Sequence, residues 1–351
     1  MSEKQNVKRD ASYDLLRVVS AFAVVIIHTC AQEWRKIDVQ STEWLIITVW
    51  DMLSKYSVPI FFMVSGRFLL DGAHESDIKT TLTKRFPKIA AAFLFWSAIY
   101  TVVNIVRTDD IKSNIKWIII EFFTGEYHMW FLFALACLYI ATPLLKAIAN
   151  DEKLCKYYLI LFFLFQLVFP AVGNIPKIGV FVVTALEKAQ FKFVMGFSGY
   201  YVLGYYLGKH LPKGKFKIFI YAAGVIGTAY SVFSVVSASR SGGAADETSA
   251  QYLTWNVALS SIAVYTAVLS AALKKPMKER AENIISFLAG YSFGVYLAHP
   301  LFLWIFEWLG ITPTAFSPLL SVPLIAAFAA ALSFLLVWAL RKIPKIGKMI
   351  T

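Results

Sequence analysis

Charge is scarce in this chain. Asp, Glu, Lys and Arg make up only 16% of its 351 residues, against about 25% in a soluble globular protein. A surface that faces water all round is therefore excluded. Cysteine is nearly absent. Cys30, Cys137 and Cys155 are odd in number and sit in or beside apolar runs. A disulfide framework is excluded, and no CxxC spacing offers a metal site, so all three read as small buried hydrophobes. The period-2 alternation of a barrel strand is missing. No internal repeat is detectable, which argues against a repeat-built transporter fold. No basic-aromatic module for nucleic acid is visible.

What is present is apolar. Hydrophobic residues make up 58% of the chain and the mean hydropathy is +0.61. The apolar runs recur at bilayer-spanning length, about 20 residues each, and only helices or closed barrels satisfy backbone groups in lipid. The sequence therefore predicts an all-α polytopic membrane protein with about ten transmembrane helices. They lie near 12–32, 45–66, 87–106, 129–148, 157–173, 191–208, 217–237, 253–272, 284–306 and 317–340. The first run follows Lys4, Lys8 and Arg9 but is long, contains Arg17 and lacks a convincing cleavage site. It reads as a retained helix rather than a signal peptide. The stretch 114–128, NIKWIIIEFFTGEYH, is apolar but interrupted, and is expected to be interfacial or re-entrant. No soluble domain is appended, so 1–351 reads as one integral membrane domain.

The excess of 34 basic over 22 acidic residues belongs to the loops. With the N-terminus inside, 23 of the 34 Lys and Arg fall on inside segments and nine on outside ones. That bias predicts a multi-pass protein with both termini cytoplasmic.

Ionisable residues inside spans are costly and are candidates for function. Arg17 and His28 are eleven residues apart, about three helical turns. They share one face, roughly 16 Å apart along the axis. Snorkelling to opposite headgroup layers is the plainer account of the pair. Asp51, Glu126, His128 and His299 fall at the depth of His28. Asp51 could instead neutralise a buried cation. His128 could be an interfacial anchor beside Trp130. His299 could bond a carbonyl left unpaired by Pro300. At the inner end, Ser65, Gly66 and Arg67 close the second span, and Lys84, Arg85 and Lys88 open the third. With Arg17 they form a cationic mouth suited to phosphates or, more simply, to acidic lipids. Trp34, Trp44, Trp50, Trp130 and Trp304 crowd the outer rim, where an aromatic belt is the default. His74 and His210 read as ordinary solvated loop residues.

Four segments carry a resemblance. They are YDLLRVVSAFAVVIIH with its Arg17-x10-His28 spacing, VPIFFMVSGRFLL (58–70), EYHMWFLFALACLYIATPLLK (126–146) and FGVYLAHPLFL (293–303). In that order, and over essentially the whole chain, the sequence resembles acyltransferase family 3, the membrane O-acyltransferases of bacterial surface polysaccharides. The basic entry to the third span matches more loosely, with Pro87 between Arg85 and Lys88.

The resemblance implies a multi-pass plasma-membrane enzyme of bacterial type. Its donor would be acetyl-CoA or another acyl-CoA at the cytoplasmic face, with succinyl as an alternative group. Its acceptor would be a glycan hydroxyl at the outer face. It implies His28 as the catalytic base or acyl acceptor, with His128 and Glu126 assisting. It places donor contacts at Arg17, Ser65, Gly66, Arg67 and Arg85. Membrane lipids are the other expected partners; nucleic acid and metal are not. The rival reading is an exporter that uses the same Arg and His path.

Overall fold

The first helix sets the frame. Asp10 caps it by accepting from the Ser12 amide at 3.0 Å, and α1 then runs unbroken from Ala11 to Trp34. In this computed structural model the described residues are 10–71, 78–107, 115–173, 175, 177–189, 194–344 and 346–351. Among them there is no strand.

After α1 come α2 (Thr42–Ser54), α3 (Ser57–Leu69) and α4 (Ile78–Thr80), which runs through a π turn (Thr81–Arg85) into α5 (Phe86–Arg107). Then follow α6 (Ile115–Thr124), α7 (Trp130–Asn150) and α8 (Glu152–Phe162). The last continues through a second π turn into α9 (Phe169–Gly173). The remaining helices are α10 (Gly179–Ala189), α11 (Phe197–Lys209), α12 (Phe216–Gly242), α13 (Trp255–Lys274), α14 (Glu279–Trp308), α15 (Pro318–Leu340) and α16 (Gly347–Ile350). Helix α1 packs against α14, α2, α3, α15 and α13, so it is the post around which the others gather.

Nine helical segments among the described residues are long and apolar enough to cross a bilayer. The protein is an all-α polytopic membrane protein, with two departures from the expected spans. The run at 191–208 is apolar, but its described helix, α11, has only thirteen residues. That is about 20 Å, short of a hydrocarbon core of about 30 Å. Gly196 before it has φ +80°, which breaks any helix entering from upstream. The second expected span is broken in the middle, since α2 ends at Ser54 and α3 starts at Ser57. The break falls at Lys55, whose ion pairs are described below. The interrupted stretch at 114–128 becomes the separate ten-residue α6, packed on α5. It is followed by Gly125 at φ +71°.

The short α11 is held by close crossing of α3. A Cβ on Gly66 would lie 1.8 Å from the Tyr201 carbonyl oxygen, and one on Gly204 would lie 2.0 Å from that of Met63. Backbone meets backbone there, the small-residue contact that membrane helices use in place of a hydrophobic drive. Both described chain ends lie at one end of the bundle: Arg17, near the start, lines the same cavity as Thr351.

Candidate active site

At that basic end, α1, α3, the π turn, α5, α7, α14 and the C-terminal segment enclose a cavity of about 380 Å³. Its cations are Arg17, Lys84, Arg85, Lys88 and Arg341. Arg17 is steadied by Asp14 at 3.4 Å, and its guanidinium lies 4.9 Å from the Phe68 ring centre. Asp14 is itself buried and accepts from the Ser286 hydroxyl at 2.8 Å. Ser65 also lines the cavity.

Gly66 and Arg67 do not line it. Gly66 belongs to the α3–α11 crossing. Arg67 turns to Asp71, 2.5 Å away, and to the Tyr13 hydroxyl at 3.2 Å. Its i,i+4 spacing to Asp71, one turn on, is what draws it aside. Arg341, which follows the last expected span, is a further cation of the wall. It enters the wall because its guanidinium donates to the carbonyls of Gly290 (2.5 Å) and Thr351 (3.2 Å).

The far wall of the cavity is Phe131 and Tyr296, and behind it lie three histidines. The Tyr296 hydroxyl donates to the His128 carbonyl. His28 comes from α1, His299 from α14, and His128 from the 3-10 turn Tyr127–Met129 before α7. His28 Nδ1 and His299 Nε2 are 2.6 Å apart. The His128 ring centre lies 6.2 Å from that of His28 and 5.7 Å from that of His299. His128 and His299 are buried, whereas His28 is only half-buried. Neither ring nitrogen of His128 has a hydrogen-bond partner among the described residues. Tyr127, itself half exposed, stands edge-on 5.2 Å from His28.

Glu126 sits beside this group but turns its carboxylate to Asn104, which donates to it at 2.9 Å and to Glu121 at 2.8 Å. His299 and Tyr296 lie three apart on α14, one turn above each other. The motif around 293–303 carried both, but no local pattern assigned them a partner.

A second polar cluster lies at the helix break. Lys55 is buried, with Nζ 2.6 Å from Glu247 and 3.5 Å from Asp51, and 5.4 Å from the Tyr252 ring centre. Asp51 does neutralise a buried cation. Removing one partner of a buried pair typically costs about 3–5 kcal/mol. Lys55→Met is expected to lower stability by that amount, and adding Asp51→Leu should restore part of it. Thermal unfolding of the single and double variants checks this. Equal stability of the single variant and wild type would refute it.

A family model described as an acyltransferase domain matches residues 10–341. The chain belongs to acyltransferase family 3. Searches of curated proteins and of solved structures find no match. In this family 3 acyltransferase the cavity and the histidine group form a cationic half and a histidine half, which meet at Tyr296. Arg17 and His28, on one continuous helix, belong to different halves.

Proposed function

We propose that this family 3 acyltransferase takes an acetyl or similar short acyl group from acyl-CoA at the cytoplasmic face and delivers it to a glycan hydroxyl at the outer face. The observation that carries the reading is the contact at Tyr296. A cavity rich in cations ends on a wall whose other side is the histidine cluster. Phosphates of the donor suit Arg17, Arg85, Lys84, Lys88 and Arg341, because charge-assisted hydrogen bonds in a partly enclosed site are the strong ones. Ser65 is small enough to let a thioester arm pass along α3 toward Phe131.

His28 is the proposed proton acceptor because it alone of the three histidines is partly open. Imidazole suits proton transfer near neutral pH. In the direct route His28 takes the acceptor hydroxyl's proton, the oxygen attacks the thioester carbonyl, and the CoA sulfur leaves and is protonated. In the relayed route His28 itself holds the acyl group between donor and acceptor. His128, buried beside His28 with both ring nitrogens without a partner among the described residues, is the proposed assisting group. Glu126 and Asn104 shape the rim on that side. The acceptor belongs to the cell-surface glycan class, in a bacterial plasma membrane.

The test uses protein in lipid nanodiscs with radiolabelled acetyl-CoA, followed for thioester cleavage and for label retained on the chain. Cleavage supports an acyl-CoA enzyme, and retained label the relayed route. Absence of both donor binding and cleavage, with the fold intact, would move the reading to an exporter. Arg17→Ala is expected to weaken acetyl-CoA binding roughly tenfold to a hundredfold, the loss of one hydrogen bond to a charged group at about 1.5–3 kcal/mol. Calorimetric titration measures it, and an unchanged Kd removes Arg17 from the donor site.

A further inference from the structure

We propose that His299 is a positioning residue that sets the tautomer of His28, leaving the lone pair of His28 on Nε2. This rests on the reading of His28 as proton acceptor. The carbonyl of Val295 can only accept a hydrogen bond. His299 Nδ1 lies 3.3 Å from it, so Nδ1 is the nitrogen of His299 that carries hydrogen. A neutral imidazole has one N–H and one lone pair, which leaves the lone pair of His299 on Nε2. That atom is 2.6 Å from His28 Nδ1. One hydrogen lies between them, and His28 is the ring that supplies it. His28 therefore carries its proton on Nδ1, and its Nε2 is the base.

The ring geometry fits this bond. The two planes are within 3° of parallel with centroids 4.9 Å apart. The nitrogens are much closer than the centroids, so the rings meet edge to edge, with the N–H aimed along the line between them. A face-to-face stack would not bring the two nitrogens into that relation.

The anchor is rigid for reasons in the sequence. His299 has no exposed surface, and it lies one turn after Val295 in α14 and immediately before Pro300. The imidazole Nδ1–H is tied to the Val295 carbonyl one turn back on its own helix, so the ring is held by the helix it stands on. An unanchored neutral histidine favours the opposite tautomer, with hydrogen on Nε2, which would occupy the atom needed for proton abstraction. Orientation of a catalytic imidazole by a second group on its other nitrogen is a general device of acid–base sites. Here the second group is another imidazole, whose own tautomer is set by the backbone.

The test is nitrogen NMR of ¹⁵N-histidine-labelled protein in nanodiscs, with His28 assigned by comparison with His28→Ala. In the wild type, His28 should show a protonated Nδ1 and an unprotonated Nε2. His299→Gln offers a side-chain carbonyl as acceptor and should keep that pattern and most of kcat. His299→Leu should move His28 to the Nε2–H form and lower kcat roughly tenfold to a hundredfold, part of the range for acid–base catalysis. KM for acetyl-CoA should not move, because His299 does not touch the donor cavity.

A wild-type His28 protonated on Nε2, or a doubly protonated His299, overturns the proposal without any variant. So does a His299→Leu protein with wild-type kcat and an unchanged His28 pattern. If the wild type shows the expected tautomer but cleaves no acetyl-CoA, the tautomer assignment stands and the reading of the activity is what fails.

Discussion

His28→Ala is expected to lower acyl transfer by at least about 10²-fold, the usual contribution of a positioned acid–base group, with the helical fold intact. The side chain is half-buried and hydrogen-bonds His299. Its loss leaves one buried acceptor uncompensated, a cost of about 1–3 kcal/mol, which the helical bundle should survive. Initial rates of acetyl-CoA consumption, read beside circular dichroism of the same sample, separate the two effects. His210→Ala is the matched control. His210 is exposed and stacks loosely on Tyr206, far along the chain from the histidine cluster, and it should leave the rate unchanged. Half of wild-type activity in a folded His28→Ala protein would sink the assignment.

Gly66→Ala is expected to cost about 3 kcal/mol, the upper end of the overpacking range. The added carbon would sit 1.8 Å from the Tyr201 carbonyl oxygen, and a backbone atom cannot rotate aside as a side chain can. The two helices must part. Parting them frees α11, which is too short to be held by its own passage through the bilayer. Gly242→Ala makes the contrast. Nothing lies within 4 Å of the added carbon, and the change removes a residue of low helix propensity, so stability should hold or rise slightly. Thermal unfolding of both variants in nanodiscs decides the matter. A Gly66→Ala midpoint equal to wild type would show that α3 and α11 yield more easily than their spacing implies.

These two residues show how differently the chain disclosed itself. His28 was legible because a titratable residue in an apolar run is conspicuous, and because its spacing from Arg17 puts both on one helix face. Gly66 was legible as a place of close approach, but what approaches it is Tyr201, 135 positions on by chain numbering, and nothing in the local pattern names that partner. Arg67 belonged to the cationic mouth by position, yet Asp71 one turn later takes it away. No local pattern marks Arg341 as part of that mouth, and the folding of the last residues back onto α14 and α5 places it in the cavity wall.

The sequence by itself determined the class of molecule, since helices are the structures that bury their own backbone polar groups over these apolar runs. It also determined the polar inventory of each span and the family resemblance carried by four ordered segments. Only the tertiary structure decided that His28 meets His299 from 271 residues away, that Lys55 answers Asp51 and Glu247 at a helix break, and that the cationic cavity ends at Tyr296. Hydropathy and spacing are properties of one helix at a time. Which faces of different helices meet depends on close packing across the whole bundle, and that packing joins residues from opposite ends of the chain.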